Sequence, residues 1–319
     1  MRSRTLLSKL MAQVLGLDEI HDMTALLAWD DGSPASHVAD RLVADVRFAP
    51  AGHSFVSNML AAATNDPCIH GLIRDAGRYI GALWSMYLHL NGGLTLPRLQ
   101  ALCVQTGYVS AGRARLLLIY LRYLKCIEPV GAPVPGAAVH YQPTAGFLKS
   151  WHAHLRDALE AAQIIEPAIG LILEKYDQPD VLETFTRMQS GGWLSSDSGI
   201  RDDDPFFRTF MHRNGGTQLL LTVMASDAPH FPPTAPLHLP LAGLARRFGV
   251  SRMQLRRMLD QAIAEKLMLP QTDGSLLLSD GMRLTLARFY AVQLVELLRA
   301  AARTVRALPH LHDQPGMSA

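Results

Sequence analysis

The chain has 319 residues, 49% of them hydrophobic and 18% charged. That composition supplies a sizeable core and argues against wholesale disorder. The formal net charge is only +2, so any affinity for nucleic acid has to come from local basic patches.

The first 17 residues, MRSRTLLSKLMAQVLGL, superficially resemble a secretion signal. Lys9 interrupts the apolar run and no small-residue cleavage site follows, so an amphipathic helix is predicted there, opening an N-terminal helical extension over residues 1–74. No stretch reaches the roughly 18 unbroken apolar residues of a membrane span, and no membrane partner is expected. A strongly apolar helix is predicted over 75–90, and short strands around Glu128–Val130 and Val139–Gln142. Residues 146–176 read as one long helix, or as two broken near Pro167. The stretch 189–204, rich in Gly, Ser and Asp, reads as a flexible linker. A helix over 205–226 follows, then a rigid loop over 228–237 with four prolines. A strand at Leu276–Leu278 and a helix over 281–307 lead to a tail, 309–319, that is expected to fray.

The richest signal lies between these last elements, at Leu239–Pro270 (LPLAGLARRFGVSRMQLRRMLDQAIAEKLMLP). Ala245 is small enough for two helices to approach closely. Gly249, four residues on, can take the positive φ of a sharp turn between helices. Val250 turns inward, Ser251 can cap the next helix, and Leu255 falls on its buried side. Between these anchors stand Arg246, Arg247, Arg252, Gln254, Arg256 and Arg257. This is the spacing of a helix-turn-helix with a basic second helix, the form that enters a DNA major groove.

The pattern occurs twice. Leu96–Pro129 aligns with Leu239–Pro270 at an offset of about 141 residues. Leu99 and Leu102 match Leu241 and Leu244, Cys103 takes the place of Ala245, and Gly107 that of Gly249. Ser110 matches Ser251 after one inserted residue, read as Val109; Arg115, Lys125 and Pro129 match Arg256, Lys266 and Pro270. Each copy follows an apolar helix and precedes a hairpin and a long helix. In the second hairpin Thr272, Asp273 and Gly274 form a good turn. The first copy has five basic residues (Arg98, Arg113, Arg115, Arg122, Lys125) against Glu128. The second has six (Arg246, Arg247, Arg252, Arg256, Arg257, Lys266) against Asp260 and Glu265, so the positive charge is concentrated on the two copies.

Helix, helix-turn-helix, hairpin and long helix is the order of winged-helix regulators, and the chain resembles the MarR-like family of bacterial transcription factors. The resemblance implies a mainly α fold: tandem winged helix-turn-helix units, over 75–188 and 205–308, joined by long helices as an internal pseudo-dimer. It implies double-stranded DNA as partner, with recognition positions at Ser251, Arg252, Gln254, Arg256 and Arg257, and at Ser110, Arg113 and Arg115. The first wing region, GAPVPGAAVHY, has no basic residue. The resemblance also implies space for a small aromatic effector near the aromatic helix that holds Tyr79, Trp84 and Tyr87. A homodimer carrying four such units is an open alternative to a chain acting alone.

Other chemistry finds little support. Cys68, Cys103 and Cys126 are far apart in sequence and form no Cys-x-x-Cys pair, which fits a reducing cytoplasm and not a zinc module. His152 and His154 are two apart on a helix and face different ways; His310 and His312 lie in the tail. Asp202, Asp203 and Asp204 precede Pro205 as a solvated helix start. Cys103 and Cys126 read as core residues, Cys126 on an apolar helix face. There is no phosphate loop, dinucleotide fingerprint or nucleophile elbow, so neither an enzyme nor a cofactor is expected. The alternative to DNA binding is a winged-helix protein-interaction module.

Overall fold

The computed structural model describes residues 23–107, 109–132, 135–195, 204–226 and 230–311. Helices dominate, with two small antiparallel sheets. The chain opens with α1 (Met23–Ala28), α2 (Ala35–Val43), α3 (Phe48–Asn65) and α4 (Pro67–Leu72). These are not an appended extension. α3 packs between α8 (Ala145–Gln163) and α11 (Gly216–Met224), and α1 and α2 lie along the final helix. Four arginines of that helix tie them down: Arg288 to Asp40, Arg299 to the carbonyls of Trp29 and Ser33, and Arg303 and Arg306 to Asp30.

α5 (Ala76–Leu90) begins at Asp75, whose carboxylate accepts the Arg78 amide at 3.0 Å. Then come β1 (Leu94–Thr95), α6 (Leu96–Thr106), α7 (Ala111–Tyr123), β2 (Ile127–Pro129), β3 (His140–Pro143) and α8. After a 3-10 turn at Pro167–Ile169 the chain continues through α9 (Gly170–Glu174) and α10 (Pro179–Ser195). Residues 189–195, read from composition as linker, are the last turns of α10, which packs on α5 and on the final helix. Packing overrides the weak helix propensity of Gly191 and Gly192. Residues 196–203, with Asp202 and Asp203, lie outside the described residues, as do 1–22 and 312–319.

The predicted 205–226 helix is broken. A wide turn at Phe207–Met211 gives way to Gly215, at φ +83°, before α11 starts. A Cβ on Gly216 would stand 2.0 Å from the Phe210 carbonyl oxygen, so the two backbones meet where only glycine fits. α12 (Leu241–Phe248), α13 (Arg252–Ala264), β4 (Met268–Pro270), β5 (Leu276–Leu278) and the 28-residue α14 (Asp280–Ala307) complete the chain. Of the tail only 309–311 are described, and they form a 3-10 turn. Leu311 is buried, and Lys175 holds the His310 carbonyl at 2.8 Å.

The sequence repeat has a matching backbone repeat. Gly107 and Gly249 take φ +75° and +62° after the first helix of each copy. Ser110 and Ser251 cap the second helices through bonds to Arg113 and Gln254 amides. Lys125 and Lys266, the two non-glycine residues at positive φ among those described, both sit at +56° just before a strand. The bonds Cys126 N–Leu121 O and Leu267 N–Ala262 O are both 2.8 Å. The copies differ at the sheet. β1–β3–β2 is three-stranded, whereas β4–β5 is a hairpin with a single added bridge, Leu237 to Leu276. Val109 is not the inserted residue: it is buried and, like the partly buried Val250, stands one position before the capping serine. The extra position is therefore 108.

Sequence distance also misled for the cysteines. The fold brings Cys68 and Cys126 together, Sγ to Sγ 3.0 Å, and Cys126 follows α7 instead of lying on a helix face. Among the described residues no helix is long and apolar enough to cross a membrane.

Candidate nucleic-acid interface

α13 is split cleanly by polarity. Leu255, Met258, Leu259 and Ala262 are buried, spaced as one face of a helix. Arg252, Met253, Arg256, Arg257 and Gln261 form the opposite, exposed face. Arg246, on α12, is exposed as well. Arg246, Arg252 and Arg257 have no acidic or hydrogen-bonding partner among the described residues. Arg256 bonds Asp260 one turn on, Nε to Oδ1 3.0 Å, with both side chains more than half exposed; such a pair contributes little and exchanges readily. Arg247 is engaged with the body: it donates to Thr222 Oγ1 at 2.7 Å and lies 5.1 Å from the Phe248 ring centre.

Two of the expected base readers point elsewhere. Gln254 donates through Nε2 to the Asn214 carbonyl at 2.6 Å. Arg113, at the matching place in the first copy, reaches the Asp75 carboxylate at 3.2 Å and covers Gly77. Both residues stand three after the capping serine. A helical side chain leans toward its own N-terminus, and here that direction leads to the start of the leading helix, not to solvent. Ser110 and Ser251 spend one hydroxyl lone pair on their caps and keep the hydroxyl proton for donation.

The exposed face of α7, which carries Arg115 and Arg122, is more apolar than that of α13. Arg115 is exposed, but beside it Leu116, Ile119 and Tyr123 are 65, 52 and 80% exposed. The two copies therefore share a backbone and differ in surface chemistry.

Between the copies, Arg74 acts as a clamp that the sequence reading missed. Its Nε donates to Asn214 Oδ1 at 2.8 Å and its Nη2 to the Gly249 carbonyl at 2.9 Å, while its own carbonyl accepts the Gly215 amide at 2.8 Å. Burial, with the charge of Arg78 beside it, lowers the Arg74 pKa. No local sequence signal marks this arginine, because its partners are about 140 and 175 residues away.

Beside this clamp lies an apolar cavity of about 100 Å³, lined by α5 and α11, which lead into the two copies, and by α14, among them Tyr79, Leu83, Leu220 and Phe289. Three of its lining polar atoms, Trp84 Nε1, Thr217 Oγ1 and Gln293 Nε2, have no hydrogen-bond partner among the described residues. Behind it, buried His154 is hydrogen-bonded to the Tyr79 hydroxyl at 3.0 Å, and burial lowers its pKa to about 4. His310 pairs with Asp180, and Asp204 caps the Phe206 amide. Among the described residues no three His, Cys, Asp or Glu side chains gather as metal ligands would. The chain matches no family model, no curated protein and no solved structure.

Proposed function

We propose that the chain is a sequence-specific, double-stranded-DNA-binding transcriptional regulator made of two winged helix-turn-helix units in one chain. The carrying observation is α13: a serine-capped helix after a left-handed glycine turn, apolar on one side and presenting Arg252, Arg256 and Arg257 on the other. In this reading α13 enters the major groove, Arg252 and Arg256 hydrogen-bond guanine edges, and Met253, 60% exposed between them, rests on a thymine methyl. Arg246, Arg257, Ser110, Ser251 and Arg115 contact phosphates. The two units address successive grooves roughly 34 Å apart, the first holding position more than reading sequence.

The test is binding to genomic DNA, beginning with the upstream region of the chain's own gene, at two salt concentrations. About five phosphate contacts imply a loss of roughly 10²–10³-fold in affinity between 50 and 200 mM salt. Absent or salt-independent binding contradicts the proposal.

A second reading has one specific observation in its favour. The Leu116–Ile119–Tyr123 stripe is what a helix that docks protein presents, so the first unit is assigned to a protein partner or a second copy if DNA binding fails. The central cavity fits a small apolar effector that carries a hydrogen-bond acceptor for Trp84 and Gln293.

A further inference from the structure

We infer that Cys68 and Cys126 form a reversible oxidation site, closed into an intrachain disulfide by a hydroperoxide. Their sulfurs are 3.0 Å apart, about 1 Å beyond the roughly 2.05 Å of a disulfide bond. Both stand on hydrogen-bonded backbone. Cys68 is the second residue of α4, its amide bound to Asp66 Oδ1 at 2.8 Å. Cys126 follows the left-handed Lys125; its amide bonds the Leu121 carbonyl and its carbonyl accepts the Thr144 amide. The two segments also touch beside the pair. The Tyr120 hydroxyl donates to the Gly71 carbonyl at 3.1 Å, and a Cβ on Gly71 would lie 2.7 Å from Leu124.

The pair is not a by-product of the repeated scaffold. The second copy has Leu267 where the first has Cys126, and the same two backbone bonds hold both. Cys103, by contrast, is fully buried with no thiol beside it among the described residues, and burial pushes its pKa up to about 11.

The two thiols take different roles. Cys68 is half-buried and so the more accessible of the two; Cys126 is buried. The Cys68 contact, burial and the Asp66 carboxylate push the Cys126 thiol up and keep it protonated. The Cys68 sulfur attacks one oxygen of hydrogen peroxide; the O–O bond breaks, the departing hydroxide takes the Cys68 proton as one water, and Cys68 is left as a sulfenic acid. The Cys126 sulfur then attacks the Cys68 sulfur. The S–O bond breaks, and the departing hydroxide takes the Cys126 proton as a second water. Overall the two thiols lose two electrons and two protons, and one peroxide becomes two waters. The bond fastens the end of α7 and the first sheet to α4, six residues before the Arg74 clamp.

The test uses the full chain and does not involve DNA. After peroxide treatment, thiols titrated in denaturant fall from three to one, and peptide mapping without reductant finds Cys68 joined to Cys126. Dithiothreitol restores three thiols. The closed loop raises the unfolding midpoint by roughly 5–10 °C. Cys126→Ser leaves a Cys68 sulfenic acid trappable by dimedone, and Cys103→Ser still forms the cross-link. The inference is overturned if all three thiols persist under peroxide that oxidises free cysteine, or if Cys68 oxidises without joining Cys126. A link to Cys103 or between chains overturns it equally. The wild-type titration and map decide the matter even if a variant does not fold.

Discussion

Asp75→Ala removes the carboxylate on which the first unit is seated. The side chain is 7% exposed and does three things at once. It caps α5 through the Arg78 amide, pairs with Arg78 Nε at 3.2 Å, and pairs with Arg113 at 3.2 Å. Loss of the cap costs about 1 kcal/mol. The Arg78 and Arg113 side chains are 24% and 39% exposed, so solvent screening limits each pair to about 0.5–1 kcal/mol. The sum is roughly 2–3 kcal/mol for Asp75→Ala. Asp75→Asn keeps a capping oxygen and loses only the charge, for about 1–2 kcal/mol. Urea unfolding followed by circular dichroism reads both, and a double-mutant cycle with Arg113→Ala isolates the pair. A cost below about 0.5 kcal/mol for Asp75→Ala, or no coupling between Asp75 and Arg113, would rule out this role for the carboxylate.

Gly216→Ala should destabilise by about 3 kcal/mol or more, because its methyl meets backbone that cannot step aside; Gly112→Ala, with open space around it, should stabilise slightly, and thermal melts compare the two. Burial depresses the pKa of His154 in the folded chain to about 4, from an ordinary 6.5. The unfolded chain therefore binds the extra proton first, and stability present above about pH 6.5 is lost as pH falls toward 4, by up to about 3 kcal/mol. His154→Gln should flatten that part of the stability–pH curve; an unchanged slope would assign the acid sensitivity to other groups.

Much of the scaffold was legible in the sequence because it rests on local rules. Gly107 and Gly249 turn left-handed, and Ser110 and Ser251 cap helices, as their positions in the repeat imply. What escaped was non-local. Residues 189–195 read as linker from composition, yet α5 and α14 supply the packing that makes them helical. Arg113 and Gln254 look like solvent-facing readers until the start of the leading helix is placed beneath them. The Cys68–Cys126 contact spans 58 residues and has no spacing signature. Leu116, Ile119 and Tyr123 are ordinary core letters in sequence; only the placement of α7 exposes them.

In the proposed function the open arginines of α13 read DNA while Arg113 only holds the first unit in place. Fluorescence anisotropy on a DNA fragment selected from genomic DNA by the intact chain, for the wild type, Arg252→Ala and Arg113→Ala, tests it most directly. Arg252→Ala should lose about 1–3 kcal/mol of specific binding with its unfolding midpoint unchanged, and Arg113→Ala should lower the midpoint but keep base discrimination. No selected fragment, or an Arg252→Ala variant that binds as the wild type does at every salt concentration, would contradict it.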